Sequence, residues 1–123
     1  AEAQRNLGYT QAHTSLGITY LNQGDSRKAY DEFKKALSID PEFADAHYNL
    51  ALLLQRQNQS EQAIRHYRAA ISLDPGNFRA RNNLGVALMQ GGKIDEAKAE
   101  FEAALSLSPD FKDAKANLQS LKK

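Results

Sequence analysis

Residues 40–75 read DPEFADAHYNLALLLQRQNQSEQAIRHYRAAISLDP, and the same Asp-Pro pair opens and closes the stretch. The chain contains three prolines, Pro41, Pro75 and Pro109, and the two intervals between them are equal. When the sequence is shifted by this 34-residue interval, small and apolar residues fall into columns. A fixed period of this size is typical of a solenoid, in which each unit buries its apolar face against its neighbours. The sequence therefore predicts one unit used three times, followed by part of a fourth.

Five of these columns recur in every unit. The matching residues are Leu16, Leu50, Leu84 and Leu118; Gly17, Ala51 and Gly85; Ala29, Ala63 and Ala97; Phe33, Tyr67 and Phe101; and Ala36, Ala70 and Ala104. The order Leu-Gly, Tyr, Ala, Phe, Ala, Pro within one period resembles the tetratricopeptide repeat, a helix–turn–helix unit. The resemblance implies an all-α fold, a right-handed α-solenoid of helix–turn–helix repeats with seven helices in this chain. It departs from the family at His13, His47 and Arg81, where a bulky aromatic residue is often found.

The 34-residue period divides the chain into three repeats within a single domain, at residues 10–43, 44–77 and 78–111. Residues 112–123 are expected to form a C-terminal capping helix, which supplies the polar outer face that a solenoid end needs. Residues 1–9 do not fit the repeat, and we expect them to continue into the first helix as an extension. This extension would either cover the open N-terminal end of the stack or be a leftover linker.

The helix ends within each unit are marked by residues with special backbone preferences. The first helices are predicted to stop at Gly24, Asn58 and Gly92. Glycine and asparagine enter the left-handed region most readily, which suits the end of a helix. The second helices are predicted to begin near Ser26, Ser60 and Ile94, with the two serines capping free backbone N–H groups. They end before the prolines, which cannot continue a helix.

Composition excludes several classes of function. Lys plus Arg number 16 against 15 Asp plus Glu, so no basic field favours nucleic acid or an anionic membrane. The absence of cysteine excludes disulfides and zinc–thiolate sites. No apolar run approaches the roughly 20 residues that a membrane-spanning helix needs. Composition does not fix the compartment, and cytoplasm and periplasm are both compatible with it.

The residues that could carry chemistry do not form a complete set. His13 and His47 are one period apart, so their rings could meet a metal if the first helices lie about 8–10 Å apart. Arg81 stands in the third unit, however, and no carboxylate column completes a site, so we interpret the histidines as packing at a helix edge. His66 lies on a different helix and is predicted to be solvated. Nothing nominates a base for a serine nucleophile. We predict no enzyme, no cofactor and no metal.

The resemblance implies that the second helices form the outside of a curve and the first helices its concave side. The non-core positions of the first helices then combine an apolar strip with polar side chains. The predicted peptide-binding residues are Ile18, Tyr48, Asn49, Leu52, Arg56, Arg79, Asn82, Asn83, Val86, Met89 and Asn117.

Three of these residues, Asn49, Asn83 and Asn117, form a row with one amide per repeat, similar to that of the O-linked N-acetylglucosamine transferase family. An amide can donate to one backbone group of a guest and accept from another. Helices about 10 Å apart would offer one amide for roughly every three residues of an extended guest. A polyproline-like peptide presents the same face every three residues, so we predict such a guest, with an apolar residue near Leu52 and Val86. The alternative is that the asparagines serve only local hydrogen bonding.

The family also has a clamp for the C-terminal carboxylates of heat-shock chaperones. It needs Lys and Asn in the first unit, Asn in the second and two basic residues in the third. Those columns hold Thr14, Ile18, Asn49, Arg79 and Asn83 in this chain. Two of the three required cations are missing, so the resemblance does not imply this clamp here.

We therefore predict a protein–protein interaction module, acting as scaffold or adaptor, that binds an extended segment of a partner protein in its concave groove. The alternative is a self-assembling or structural repeat segment of a larger protein, which forms homo-oligomers through its solenoid ends. Leu7 and Tyr9 at the N-terminal end, or a displaced last helix at the other end, would supply the contact.

Overall fold

The computed structural model describes residues 2–122, so Ala1 and Lys123 lie outside the described part of the chain. Over that range the fold consists of seven α-helices and no strand. The helices are α1 (Glu2–Asn22), α2 (Ser26–Ile39), α3 (Ala44–Arg56), α4 (Ser60–Leu73), α5 (Phe78–Gln90), α6 (Ile94–Leu107) and α7 (Lys112–Ser120). The predicted all-α solenoid of seven helices is confirmed.

Each hairpin turn contains one residue in the left-handed region. The φ angles are 79° at Gly24, 62° at Asn58 and 80° at Gly92. Asn58 is the only residue other than glycine with positive φ between residues 2 and 122, and asparagine tolerates this conformation better than most side chains. The turns therefore lie where the sequence predicts them, and α2, α4 and α6 begin at the predicted residues.

The prediction that Ser26 and Ser60 cap the second helices is wrong. Both serines are already the first helical residues, whereas a capping residue precedes the helix and has non-helical dihedral angles. Asp25 occupies that position before α2, with φ −90° and ψ 81°, and its carboxylate accepts from the backbone N of Lys28 at 3.2 Å. The equivalent Gln59 makes no side-chain capping bond.

In the first and third hairpins an aromatic ring packs directly over a glycine of the first helix. A Cβ atom built on Gly17 would lie 2.5 Å from the Phe33 ring, and one built on Gly85 would lie 2.5 Å from the Phe101 ring. Phe33 and Phe101 are themselves fully buried. The absence of a side chain at Gly17 and Gly85 thus leaves the space that these two rings occupy.

The residues of the leucine column are not equally buried in the three repeats. Leu50 and Leu84 are buried because α2 packs on α3 and α4 packs on α5, but Leu16 is 41% exposed. No described element covers that side of α1. The first helix is 21 residues long, and Leu7 and Tyr9 in its N-terminal part are also exposed. The extension does not cover the N-terminal end.

The C-terminal end is covered more fully. Leu118 and Leu121 pack against the core, and Ala114 is fully buried against it, while Lys112 and Lys115 face solvent. Between residues 2 and 122 no helix is both long enough and apolar enough to cross a lipid bilayer.

Candidate functional site

The odd-numbered helices form the inner layer of the solenoid. Helix α1 contacts α3, α3 contacts α5, and α5 contacts α7, whereas α2, α4 and α6 make no contacts with one another in the described part of the chain. Helices on the inside of a curve lie closer together than those on the outside. The side chains of α1, α3, α5 and α7 that are not in the core therefore line one continuous surface, which we call the groove.

A pocket of about 340 Å³ opens in the groove between α1 and α3. Its size is within the range of small-ligand pockets, about 300–1,000 Å³. It is lined from α1 by Gln11, Thr14, Ser15 and Ile18, and from the α3 side by Phe43, Asp45 and Asn49. Thr14 is 4% exposed and donates to the backbone oxygen of Thr10, so it forms the floor rather than the rim.

The apolar strip lies in the groove, but its side chains also pack partly against the core. Ile18, Leu52, Val86 and Met89 are half-buried and pack against the core cluster. Each keeps part of its side chain accessible, so the strip offers limited apolar area for a guest.

The amide row is engaged in internal hydrogen bonds. Asn49 donates to the backbone oxygen of Asp45 at 2.8 Å, within its own helix. Asn83 donates to the Tyr48 hydroxyl at 3.2 Å, which joins α5 to α3. Each amide nitrogen carries two N–H groups, and each of these bonds uses one of them, so local hydrogen bonding takes up part of the donor capacity of the row.

The last amide of the row reaches back in the same way. Asn117 donates to the side-chain oxygen of Asn82 at 3.0 Å, which joins α7 to α5. Asn82 is among the predicted guest contacts, but it is only 5% exposed. The structure therefore places Asn82 behind the groove surface, where it positions Asn117.

An aromatic and cationic cluster surrounds the middle of the groove. The guanidinium of Arg79 lies over the rings of Phe78, at 5.3 Å, and Phe111, at 5.6 Å, and these rings pack edge to face. Burial raises the pKa of Tyr48, and the nearby Arg79 charge and the Asn83 hydrogen bond partly offset this rise. The Tyr48 hydroxyl is therefore neutral at physiological pH. Arg56 is exposed at the far end of α3.

A buried tyrosine connects this cluster to the hairpin core. The Tyr67 hydroxyl donates to the side-chain oxygen of Gln55, and the Gln55 amide nitrogen lies 3.4 Å from the backbone oxygen of Asn83. Burial strongly raises the pKa of Tyr67, so its hydroxyl stays protonated and keeps this bond. The chain of bonds links α4, α3 and α5.

A second set of polar contacts, which sequence reasoning missed, joins the two helices of each hairpin. Its members pair at one sequence separation in every repeat: His13 with Glu32, His47 with His66, and Arg81 with Glu100. The signal for these pairs is present in the sequence, because both columns recur with the 34-residue period. A comparison of the first-helix column alone does not reveal the partners on the second helices.

The first of these contacts is a hydrogen bond between His13 and Glu32, which becomes an ion pair when His13 is protonated. The His13 Nδ1 atom lies 2.7 Å from the Glu32 carboxylate, and Lys35 lies 3.3 Å from its other oxygen. The hydrogen bond from His13 is the largest influence on the pKa of Glu32, which is lowered although burial opposes the change. Glu32 is only 8% exposed, and it stays charged because His13 and Lys35 outweigh the effect of burial.

The middle repeat replaces the acid with a second histidine, and the prediction that His66 is solvated is wrong. The Nδ1 atoms of His47 and His66 are 3.0 Å apart, and His47 Nε2 lies 2.7 Å from the backbone oxygen of Pro41. Burial, then the charges of His47, Lys34 and Arg65, lower the pKa of His66 from 6.5 to about 4. His66 is half-buried because its column faces the first helix of the hairpin.

The histidines do not assemble a metal site with one another. His13 and His47 each pair with their own second helix instead of meeting across the groove. In residues 2–122 no three His, Cys, Asp or Glu side chains lie close enough to hold one ion.

Two family models of helical repeats match this chain. The family model described as tetratricopeptide repeat matches residues 48–110, and a second model described as TPR repeat matches residues 17–58. The first match spans slightly more than half of the chain. A comparison with the curated proteins gives no match.

Solved structures share the fold over nearly the whole chain. The second TPR domain of human RPAP3, solved in complex with an HSP70 peptide, has a TM-score of 0.90 and 26% identity, and the match covers 96% of this chain and 98% of that one. The TPR domain of Arabidopsis OM64 has a TM-score of 0.91 and 24% identity, with 95% and 97% covered.

An enzyme is also among the similar structures. The O-GlcNAc transferase of Thermobaculum terrenum has a TM-score of 0.89 and 26% identity, covering 95% of this chain but only 22% of the transferase. The shared part is therefore a minor segment of that protein. With the 34-residue period, the seven-helix solenoid and two matching family models, this chain belongs to the tetratricopeptide repeat family.

Proposed function

We propose that the chain is a non-catalytic interaction module that binds an extended segment of a partner protein in the groove. The observation that carries this proposal is the groove pocket between α1 and α3, which lies on the layer where the odd-numbered helices contact each other. The structurally similar second TPR domain of human RPAP3 was solved with an HSP70 peptide, which supports a peptide guest for this fold.

The guest is an extended, polyproline-like peptide. Neighbouring helices lie about 8–10 Å apart, which corresponds to about three residues of such a peptide at roughly 3.1 Å each. Ile18, Leu52 and Val86 offer apolar contacts at successive helices, and Met89 extends the strip on α5. A preformed groove lowers the ordering cost on one side, so affinities near micromolar are expected.

The guest differs from the acidic C-terminus that the chaperone clamp receives. The first-unit columns that would supply a cation and an amide hold Thr14, which is buried, and Ile18, which packs on the core. Arg79 is the one cation present in the clamp columns.

A matched pair of substitutions tests the proposed function. Ser15→Arg fills the pocket from its exposed rim, and Ser72→Arg makes the same change on the outer helix α4. Peptides selected from a displayed library should lose at least about tenfold in affinity for S15R and none for S72R, measured by fluorescence anisotropy, with circular dichroism confirming that both variants are folded. A library that yields no binder, or binders that S15R and S72R affect equally, would remove the groove as the binding site.

A second candidate function is assembly through the N-terminal end. Leu16 is 41% exposed although its equivalents Leu50 and Leu84 are covered by the preceding hairpin. Leu7 and Tyr9 extend this apolar surface along α1. Sedimentation equilibrium at several concentrations tests the idea: self-association that Leu16→Lys abolishes supports it, and a monomer at every concentration excludes it.

A further inference from the structure

We infer that the groove selects a guest with charges of opposite sign three residues apart, a basic side chain in the pocket between α1 and α3 and an acidic one at Arg79. The inference rests on the proposed function and specifies the chemistry of the guest. It follows from charge complementarity at two positions of one column, Asp45 on α3 and Arg79 on α5, which are one period apart.

The pocket is suited to a cation. Asp45 is the one carboxylate in its lining, and no Lys, Arg or His is among the lining residues. Asp45 is exposed, and across residues 2–122 no basic nitrogen lies within 4 Å of its carboxylate. Its charge is therefore available to a guest.

The rest of the lining fits a long basic side chain. Asn49 gives one N–H to the Asp45 backbone oxygen, and its side-chain oxygen can accept a hydrogen bond from a cationic guest side chain. Ile18 and Phe43 supply apolar contact for the aliphatic stem of a Lys or Arg, and a cation can also lie over the Phe43 ring. An acidic side chain in the same place would meet Asp45 without compensation.

Arg79 has the complementary properties. It is exposed, and in the described part of the chain no carboxylate lies within 4 Å of its guanidinium. Its guanidinium carbon lies 5.3 Å from the centroid of the Phe78 ring and 5.6 Å from that of the Phe111 ring, which hold the side chain in place. Because the side chain is already ordered, less rotamer entropy is lost when it binds an anion.

The spacing between the two charges fits a polyproline-like guest. Equivalent residues on neighbouring helices are separated by the interhelical distance, about 8–10 Å, and three residues of polyproline II helix span about 9 Å. Arg56 lies at the opposite end of α3 from Asp45, about 16 Å along the helix axis, so it does not compete for the same guest residue. The next column member is Asp113 on α7, which continues the alternation of sign.

A small peptide array tests this inference. Nine-residue, proline-rich peptides would carry Arg, Glu or Gln at the third and sixth positions in all combinations, and binding would be measured by fluorescence anisotropy. One of the two mixed-charge orders should bind about tenfold more tightly than the neutral and the doubly acidic peptides, and this advantage should shrink in high salt. The other mixed order reports which way the guest runs.

The charge-exchange variant D45R/R79D makes the test specific. It changes two exposed side chains and should prefer the opposite mixed order, while D45N should lose about threefold for the preferred peptide and nothing for the neutral one. If peptides bind and S15R blocks them but D45R/R79D keeps the wild-type order, the charge inference is overturned and the proposed function stands. If no peptide binds, or S15R leaves binding unchanged, the proposed function falls and takes this inference with it.

Discussion

Acidification from pH 7.5 to pH 5 is expected to weaken the contact between α3 and α4 of the middle hairpin. His47 Nε2 must donate to the Pro41 carbonyl oxygen, so neutral His47 accepts at Nδ1 and neutral His66 donates to it across 3.0 Å. A proton added to His66 places a positive charge beside Lys34 and Arg65. A proton on both rings would point two N–H groups at each other.

The sign and size follow from the lowered pKa of His66. The folded chain holds its proton only below a pKa of about 4, whereas the unfolded chain does so below 6.5. Between these values the unfolded state binds more protons, so the free energy of unfolding rises with pH. The contribution of His66 to stability is lost as pH falls from 6.5 towards 4. The full shift would be worth about 3 kcal/mol at 1.36 kcal/mol per pH unit. Because His66 is only half-buried, solvent screening reduces this, and we expect a loss of about 1 kcal/mol at pH 5.

Two substitutions at this position separate His66 from the other titrating groups. H66Q removes the titration and should flatten the difference between pH 7.5 and pH 5. H66E gives the hairpin the acid that Glu32 and Glu100 supply in its neighbours. If its pKa is lowered as that of Glu32 is, this carboxylate stays charged between pH 7.5 and pH 5, so H66E should also lack the wild-type loss of stability over this range. Urea unfolding followed by circular dichroism at each pH measures all three. Equal pH dependence in the wild type, H66Q and H66E would refute the reasoning.

Two pairs of substitutions, one within the leucine column and one at two glycines in different packing environments, test the packing argument. Leu84→Ala should lower the free energy of unfolding by about 2–5 kcal/mol because Leu84 is 2% exposed, whereas Leu16→Ala should change it by less than about 0.5 kcal/mol; equal losses would mean that α1 is covered in solution. Gly85→Ala should be destabilising by about 1–2 kcal/mol after the gain in helix propensity, because the new Cβ meets the Phe101 ring, whereas Gly8→Ala, with nothing within 4 Å, should stabilise by up to about 1 kcal/mol. Urea midpoints measure both pairs, and a more stable G85A would contradict the close approach at that glycine.

The architecture was predictable from the sequence because the same burial pattern recurs in every period. Gly24, Asn58 and Gly92 marked the turns, since few residue types adopt a left-handed backbone without strain. The period did not predict burial correctly in the first repeat, where no preceding hairpin packs against α1 in the described part of the chain. Leu16 belongs to a core column, yet its exposure depends on what packs beside α1, which the column itself does not encode.

The candidate site was less predictable for a different physical reason. Position along the chain places Asn83 and Asn117 on the inner helices, but their rotamers decide whether the amides face a guest or bond to Tyr48 and Asn82. Several hydrogen-bonding arrangements are compatible with one helical register. Asp25 is a similar case, because the choice between it and Ser26 as cap depends on a one-residue shift in where the helix begins.

The internal bonds of the amide row also bear on where recognition is concentrated. A guest that took the Asn83 N–H now bonded to Tyr48 would first have to displace the Tyr48 hydroxyl, and an exchange of one hydrogen bond for another gains little free energy. At the first junction the row is interrupted by Ser15, whose short side chain reaches no neighbouring helix and leaves the pocket open. There a guest meets Asp45 without a bound partner and apolar surface at Ile18. We therefore expect the α1–α3 junction to contribute more to specificity than the regular amides that follow it, which hold the inner helices in register for the guest.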